Sequence, residues 1–262
     1  MISVIVPFGG PDHARRANLL DCLSHWKRQH YSNYELILVE QSLDGRCYPP
    51  ERPWDHYVSI RDPQDRGFNL SWCRNVGARQ AAGEMLIFCD ADIVIPSPDY
   101  LKGVVTVESP FSSGAGVFIY SAREQVEAYR ASGDLSLFSS GGIRYVPFTR
   151  NACGTELGNG GLVLFHRKWF WEVFGGYNEN FFCYGWEDTE AARRIRFLLQ
   201  TPGLELPRTS FPCIHLFHEA QDRSNQKRNE LMAQELASIN QRELCARIRG
   251  AALGKPAHPT LI

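Results

Sequence analysis

The sequence predicts an α/β chain: one domain in which a mixed, mostly parallel central sheet is flanked by helices. Three observations predict it. The first hundred residues alternate short β-branched runs with helical patterns, as parallel strands joined by crossover helices do. The runs are apolar enough to be covered on both faces. A chain of 262 residues with 44 % hydrophobic content can bury one large core.

Each element follows from local pattern. "ISVIVPF" (2–8), ended by proline and glycines, reads as a buried strand, residues 14–29 as a helix and "YELILVEQ" (34–41) as a second strand. "SLDGRCYPPERPW" carries three prolines and a glycine and reads as loop. "YVSI" (57–60) is a third strand. Residues 69–82 place Leu70, Cys73, Val76 and Ala81 at roughly helical spacing before Gly83. "EMLIFCDAD" (84–92) is a fourth strand that runs into acids. Beyond it, helices are expected at 99–108 and 122–131, with strands at "GAGVFIY" (114–120) and "GGLVLFH" (160–166). The Gly/Ser-rich stretch 132–158 reads as a flexible loop that could close over a ligand. "RKWFWEVFGG" is a short helix closed by glycines. Residues 223–249 form a long helical pattern, followed by an unanchored Gly/Pro tail.

Composition excludes several classes. A formal net charge of −1 lacks the basic surplus of a nucleic-acid binder. The longest apolar runs, of the "MLIFC" and "GLVLF" kind, are too short to span a bilayer. The N-terminus reads as a strand and not a signal peptide. Eight scattered cysteines without a CxxC pair read as reduced thiols, which points to a cytosolic protein.

Four features can carry chemistry. Asp90 and Asp92 lie at the end of the fourth strand, where ligands bind in open α/β sheets. In an extended segment both would face one way and could hold Mn²⁺ or Mg²⁺ on a diphosphate; a polar turn is the alternative. His215 and His218 are three apart, so an extended segment would turn only one of them to a metal. His218, followed by Glu219 and a polar run, is the metal candidate, although on spacing alone a surface histidine fits it equally well. His215, among Ile214, Leu216 and Phe217, reads as a core residue. An imidazole beside carboxylates favours Mn²⁺ over Mg²⁺. Arg66, Arg74 and Arg79 could bring positive charge to a diphosphate, with solvated helix arginine the ready alternative for Arg79.

The fourth feature is "NFFCYGWED" (180–188). An apolar stripe of Ala191, Ala192, Ile195, Leu198 and Leu199 starts a helix near Glu187, and acids in a first turn favour the macrodipole by about 0.3–1 kcal/mol. The aromatic prefix is a poor solvent-facing cap, and aromatic faces beside carboxylates suit a sugar.

Taken together, "IVPFGG", "FNLSWCRNVG" (68–77), "FCDAD" (88–92), the block 158–190 and His218 resemble nucleotide-sugar glycosyltransferases of the GT-A fold. More narrowly, the chain resembles the C-terminal segment of β-1,4-galactosyltransferases and the bacterial chondroitin-polymerase-like members of glycosyltransferase family 2. The resemblance covers residues 2 to about 230. It implies a GT-A domain over 1–250, with a nucleotide-sugar half (1–110), an acceptor half (111–222), a C-terminal helix (223–250) and a tail (251–262). It implies a UDP-sugar site at Pro7, Phe8, Glu40, Phe68, Arg74, Asn75, Asp90 and Ala91. Gly160, Gly161, Tyr184, Trp186 and Glu187 would frame a glycan or lipid-linked saccharide acceptor. Asp90, Asp92 and His218 would hold the metal, and Asp188 would be the catalytic base of an inverting transfer. Three departures stand out: Gly9 and Gly10 replace the family's arginines after the first strand, Leu70 replaces a third, and W-G-G-E-D is shortened to Trp186-Glu187-Asp188. Base, phosphate and acceptor contacts therefore differ from the family's. The bacterial cytoplasmic branch is the nearer one, with peripheral membrane association left open. The rivals are a retaining transferase, since retaining polypeptide N-acetylgalactosaminyltransferases share a late histidine, a non-catalytic carbohydrate-binding protein on the same fold, and a nucleotidyltransferase. The last lacks its Gly-rich, lysine-bearing phosphate loop.

Overall fold

The computed structural model describes residues 1–9, 12–41, 53–139, 142–147, 149–150, 156–157, 161–183, 185–200, 206–219 and 223–261. Its strands are β1 (Ile2–Phe8), β2 (Tyr34–Gln41), β3 (His56–Ile60), β4 (Met85–Cys89), β5 (Ile93–Val94), β6 (Phe111–Ser113), β7 (Val117–Tyr120), β8 (Ile143–Tyr145), β9 (Thr149–Arg150), β10 (Glu156–Leu157), β11 (Leu162–His166) and β12 (Pro212–His215). Its helices are α1 (His13–Lys27), α2 (Leu70–Gln80), α3 (Tyr100–Val104), α4 (Arg123–Ser132), α5 (Arg167–Trp169), α6 (Glu187–Leu199), α7 (Gln226–Ser238) and α8 (Gln241–Gly250).

The main sheet runs β3-β2-β1-β4-β11-β6. Its first four strands are parallel, and β11 enters antiparallel between β4 and β6. Alternate residues of β1 serve opposite faces, as a pleated strand dictates. Val4, Val6 and Phe8 pack with Leu19, Leu23 and Trp26 of α1, while Ile5 packs with Trp72, Cys73 and Val76 of α2. Helix starts are set by side chains: Asp12 accepts from the N–H groups of Ala14 and Arg15, and Asn69 from that of Trp72. The mixed sheet between helices is the expected architecture.

A second sheet, β5-β12-β7-β8, positions the chemistry. It pairs His215 with Ile93 and Ile214 with Val94, so the chain just after the Asp90–Asp92 turn lies against the histidine segment.

Several elements differ from the expectation. The helix expected over 99–108 stops at Val104, because Val104, Val105, Thr106 and Val107 form a β-branched run. "GAGVFIY" is strand only from Val117; Gly114 and Gly116 carry the chain from one sheet to the other. The long C-terminal helix is two helices: Ile239 is extended, and the Asn240 side chain caps α8 by accepting from the Arg242 N–H. The tail is docked and not loose. Leu253 is buried, and Trp72 Nε1 donates to the Lys255 carbonyl at 2.6 Å. About a third of the expected flexible loop lies outside the described residues, as does most of 42–54; its described part is not structureless, for Leu135–Phe138 form a 3₁₀ turn, β8 pairs with β7 and β9 with β10. No disulfide joins the six described cysteines, and five of them are buried. No described helix is long and apolar enough to cross a membrane.

Candidate active site

A cleft of about 550 Å³, counting the space open to solvent, lies beyond the carboxyl ends of β1 and β4. Pro7, Phe8, Gly9, Phe68, Leu70, Asp90, Ala91, Asp92 and Glu187 line it, joined by Arg15 and Asn18 of α1 and by Cys183. Gly9 is needed at the mouth: a Cβ there would sit 2.1 Å from the Phe68 ring. Phe8, Phe68 and Leu70 form an apolar wall of the cleft.

One side of the cleft gathers three metal-competent groups. Single ligand atoms of Asp92, His215 and His218 all lie within 4.8 Å of one another. His218 Nε2 is 3.1 Å from Asp92 Oδ2, and His215 Nε2 is 3.7 Å from Asp92 Oδ1. His218 Nδ1 donates to the Glu219 carbonyl at 2.7 Å, which turns Nε2 toward Asp92. His215 stacks on Tyr120 at 4.5 Å. Burial works to raise the Asp92 carboxyl, but His215, the His218 hydrogen bond and Arg15 outweigh it and hold it near 2. Asp92 Oδ1 is nonetheless buried without a hydrogen-bond partner among the described residues. An orphaned carboxylate oxygen facing two imidazoles fits a divalent cation, and the nitrogen donors fit Mn²⁺ better than Mg²⁺.

The other side holds three more carboxylates. Asp90 follows β4, with its N–H on the Gly161 carbonyl at 2.7 Å. Arg74 of α2, fully buried, reaches Asp90 Oδ1 at 3.0 Å and Asp188 Oδ1 at 2.8 Å. The Tyr177 ring lies 4.9 Å beneath its guanidinium. Burial, opposed by Arg74 and helped by the charges of Asp92 and Asp188, pushes the Asp90 carboxyl up to about 7. Burial and the Asp188 charge push Glu187 up to about 8.

With this geometry in place, the family can be read. The profile of Glycosyltransferase like family 2 matches residues 3–211. The chain belongs to that family. Its mixed central sheet flanked by helices is the architecture expected from the sequence. Among relatives of this family-2 chain, a Caenorhabditis briggsae protein named for polypeptide N-acetylgalactosaminyltransferase 10 is 29 % identical over 158 residues, 54 % of this chain and 24 % of that one. The O-antigen biosynthesis protein RfbC of Myxococcus xanthus is 31 % identical over 107 residues, 40 % of this chain and 8 % of that one. The chain therefore spans a quarter or less of the length of these curated relatives. Among solved structures, the mannosyltransferase PcManGT of Pyrobaculum calidifontis, complexed with GDP-Man and Mn²⁺, superposes with a TM-score of 0.47 at 17 % identity, covering 81 % of this chain and 56 % of that one. The catalytic domain of Drosophila β1,4-galactosyltransferase 7, complexed with xylobiose, gives 0.47 at 16 % identity, covering 99 % and 82 %.

The structure brings most of the expected residues of this family-2 site together and moves others. Pro7, Phe8, Phe68, Asp90, Ala91, Asp92 and Glu187 line the cleft, whereas Arg74 and Asp188 stand behind its wall, tied to it at Asp90. Asn75 does not: its amide is consumed by Tyr177 and Glu179. Glu40 accepts from the Tyr57 hydroxyl at 2.5 Å and is absent from the cleft wall. Tyr184 and Gly160 lie outside the described residues. The argument that His215 and His218 face apart fails, because β12 ends at His215 and the chain leaves the extended path before His218. Asp90 and Asp92 likewise sit on a turn, not along an extended strand. The aromatic prefix is partly core: Phe181 and Phe182 are buried, with Arg66 4.5 Å above the Phe182 ring and doubly bonded to Asp62. Arg79 stacks on Trp171. Of the three arginines, only Arg74 serves the site. Sequence reasoning missed Arg15, whose Nη2 lies 3.3 Å from His218 Nδ1; its only signal was a place one helical turn beyond the Asp12 cap.

Proposed function

We propose that the chain is a metal-dependent glycosyltransferase that moves a sugar from a UDP-sugar to a hydroxyl of a glycan or lipid-linked saccharide, with inversion. The observation that carries this reading is Asp92, whose orphaned Oδ1 faces His215 and whose Oδ2 meets His218, in one cleft with Glu187 and with the Arg74–Asp188 pair behind Asp90. Asp92, His215 and His218 would hold Mn²⁺ or Mg²⁺, with Asp90 close by. A cation there supplies positive charge against the leaving diphosphate.

The chain's own residues do the rest. Phe8, Phe68 and Leu70 offer an apolar face to the base. Arg15, the cation nearest His218, is placed to meet a phosphate oxygen. In the transfer the acceptor oxygen bonds to the anomeric carbon, the bond from that carbon to the phosphate oxygen breaks, and its electron pair leaves with UDP. Asp188, charged against Arg74, takes the acceptor proton. Glu187, protonated up to about pH 8, donates a hydrogen bond to the acceptor. Trp186 frames the same side.

The test is UDP release from UDP-glucose, UDP-galactose and their N-acetylated counterparts, with Mn²⁺ and with EDTA. Chelator-sensitive release supports the reading, and a carbohydrate-binding protein would release none. The anomeric coupling of the product in a proton NMR spectrum decides inversion against retention.

A further inference from the structure

Behind the cleft lies a second polar centre built on Glu179. Its carboxylate is fully buried. Oε1 accepts from Asn75 Nδ2 at 2.8 Å and from the Gly254 N–H at 2.7 Å, while Oε2 accepts from the Thr260 N–H at 2.5 Å. Asn75 also brackets Tyr177, donating to its carbonyl and accepting from its N–H. The segment from 252 to 260 is thus tied to one stripe of α2. Trp72 holds the Lys255 carbonyl, Asn75 meets Glu179, and Arg79 Nε donates to the Leu253 carbonyl, at positions three and four residues apart on one helical face. Gly254 makes the approach possible, with φ +75° and room for no Cβ, which would lie 2.7 Å from the Asn75 carbonyl oxygen.

This clamp faces the chemistry through one residue. Asn75 follows Arg74 in α2, and the Tyr177 that Asn75 grips is the ring under the Arg74 guanidinium. Arg74 spans Asp90 and Asp188. A bridge between two carboxylates from different segments depends on where its helix stands, and small displacements at such a point are costly in rate.

We infer that Glu179 is a positioning residue for transfer, and that segment 252–260, clamped on it, belongs to the catalytic scaffold by fixing α2 and Tyr177 so that Arg74 reaches both carboxylates. This rests on the transferase reading of the cleft. The metal side stands on other elements, β5 and β12, and Leu70, at the far N-terminal end of α2, is the one α2 residue lining the cleft, so the clamp acts on turnover more than on nucleotide binding.

Two variants of the full chain test it: Glu179→Gln, which turns an amide toward one of the N–H donors, and Thr260→Pro, which removes one donor at the periphery should the first not fold. Hydrogen exchange is followed over 70–80 and 175–180, UDP–Mn²⁺ affinity by calorimetry, and UDP-sugar turnover well below the melting midpoint. Faster exchange in both stretches, kcat lower by about tenfold or more, and UDP–Mn²⁺ affinity within about threefold of wild type are expected. Unchanged exchange overturns the clamp. Faster exchange with unchanged kcat in the folded variants overturns its catalytic role, because a merely structural tie would move the melting midpoint alone. Should the wild type release no UDP from any of the four donors, the transferase reading has failed on its own, and the exchange measurement still decides the clamp.

Discussion

Replacing Arg74 with methionine removes the cation that joins the segments carrying Asp90 and Asp188. Its guanidinium is fully buried and makes charge-assisted bonds of 3.0 and 2.8 Å to Asp90 and Asp188. Truncating one partner of a buried ion pair costs about 3–5 kcal/mol, because the opposite charge is left uncompensated. Asp90 and Asp188 keep 28 % and 18 % of their side-chain exposure, so water can enter and the lower end, about 3 kcal/mol, applies. In a chain of this length each kcal/mol moves the melting midpoint by about 2–4 °C, so a drop of about 6–12 °C is expected. Arg74→Lys separates charge from geometry. Its ammonium neutralises the pocket but lacks the fork that reaches two acids, so it should recover most of the midpoint and little of kcat. The assay is circular-dichroism melting at pH 7.5 beside UDP-sugar turnover. A methionine variant that melts within about 2 °C of wild type, or a lysine variant with full turnover, refutes the bridging role.

Three further outcomes follow from the same geometry. Asp92→Asn, His215→Gln and His218→Gln should each weaken Mn²⁺ binding about 10–100-fold in an EPR titration; undiminished binding in His215→Gln would return that residue to the core. Glu187 is held protonated up to about pH 8 in the fold but ionises near 4.5 when unfolded, so its contribution to stability is present below pH 4.5 and lost as pH rises through 8. Melting midpoints read between pH 5 and 8.5 should therefore fall less steeply in Glu187→Gln than in wild type, and parallel curves would contradict the raised carboxyl. Asp188→Asn should lower kcat about 10²–10⁴-fold with UDP–Mn²⁺ affinity nearly unchanged in calorimetry; a loss of affinity without loss of kcat would move Asp188 to the donor side.

The parts legible in the sequence were those governed by near neighbours. Apolar runs gave β1, β2 and β4 their places, Asn69 marked the start of α2, and acids after "IFC" marked the strand end where a ligand binds. What was illegible depends on partners far along the chain. Glu179 and Thr260 are 81 residues apart, Arg74 and Asp188 114, and Arg15 and His218 203. The misreading of His215 has a definite cause. Alternation holds only while backbone stays extended, and β12 supplies two hydrophobic residues of strand before ending on the histidine itself. The docked tail was missed for the opposite reason. Glycine and proline signal the lack of regular structure, which is not the lack of buried partners, and each backbone N–H of such a segment still needs an acceptor.

The acids at 187 and 188 show why a favourable helix start and a chemical role are not exclusive. Both stand in the first turn of α6, where the macrodipole favours negative charge, and Trp186 offers no side-chain cap. One oxygen of Glu187 is spent on its own backbone N–H, while Oε2 is buried without a partner among the described residues. Asp188 turns instead to Arg74, and through it to the acid that ends β4. A pair kept for the helix alone would leave both carboxylates in water. Here one lines the cleft and its neighbour is anchored on Arg74, and under the proposed reading that difference in environment between adjacent acids lets one donate a hydrogen bond while the other accepts a proton.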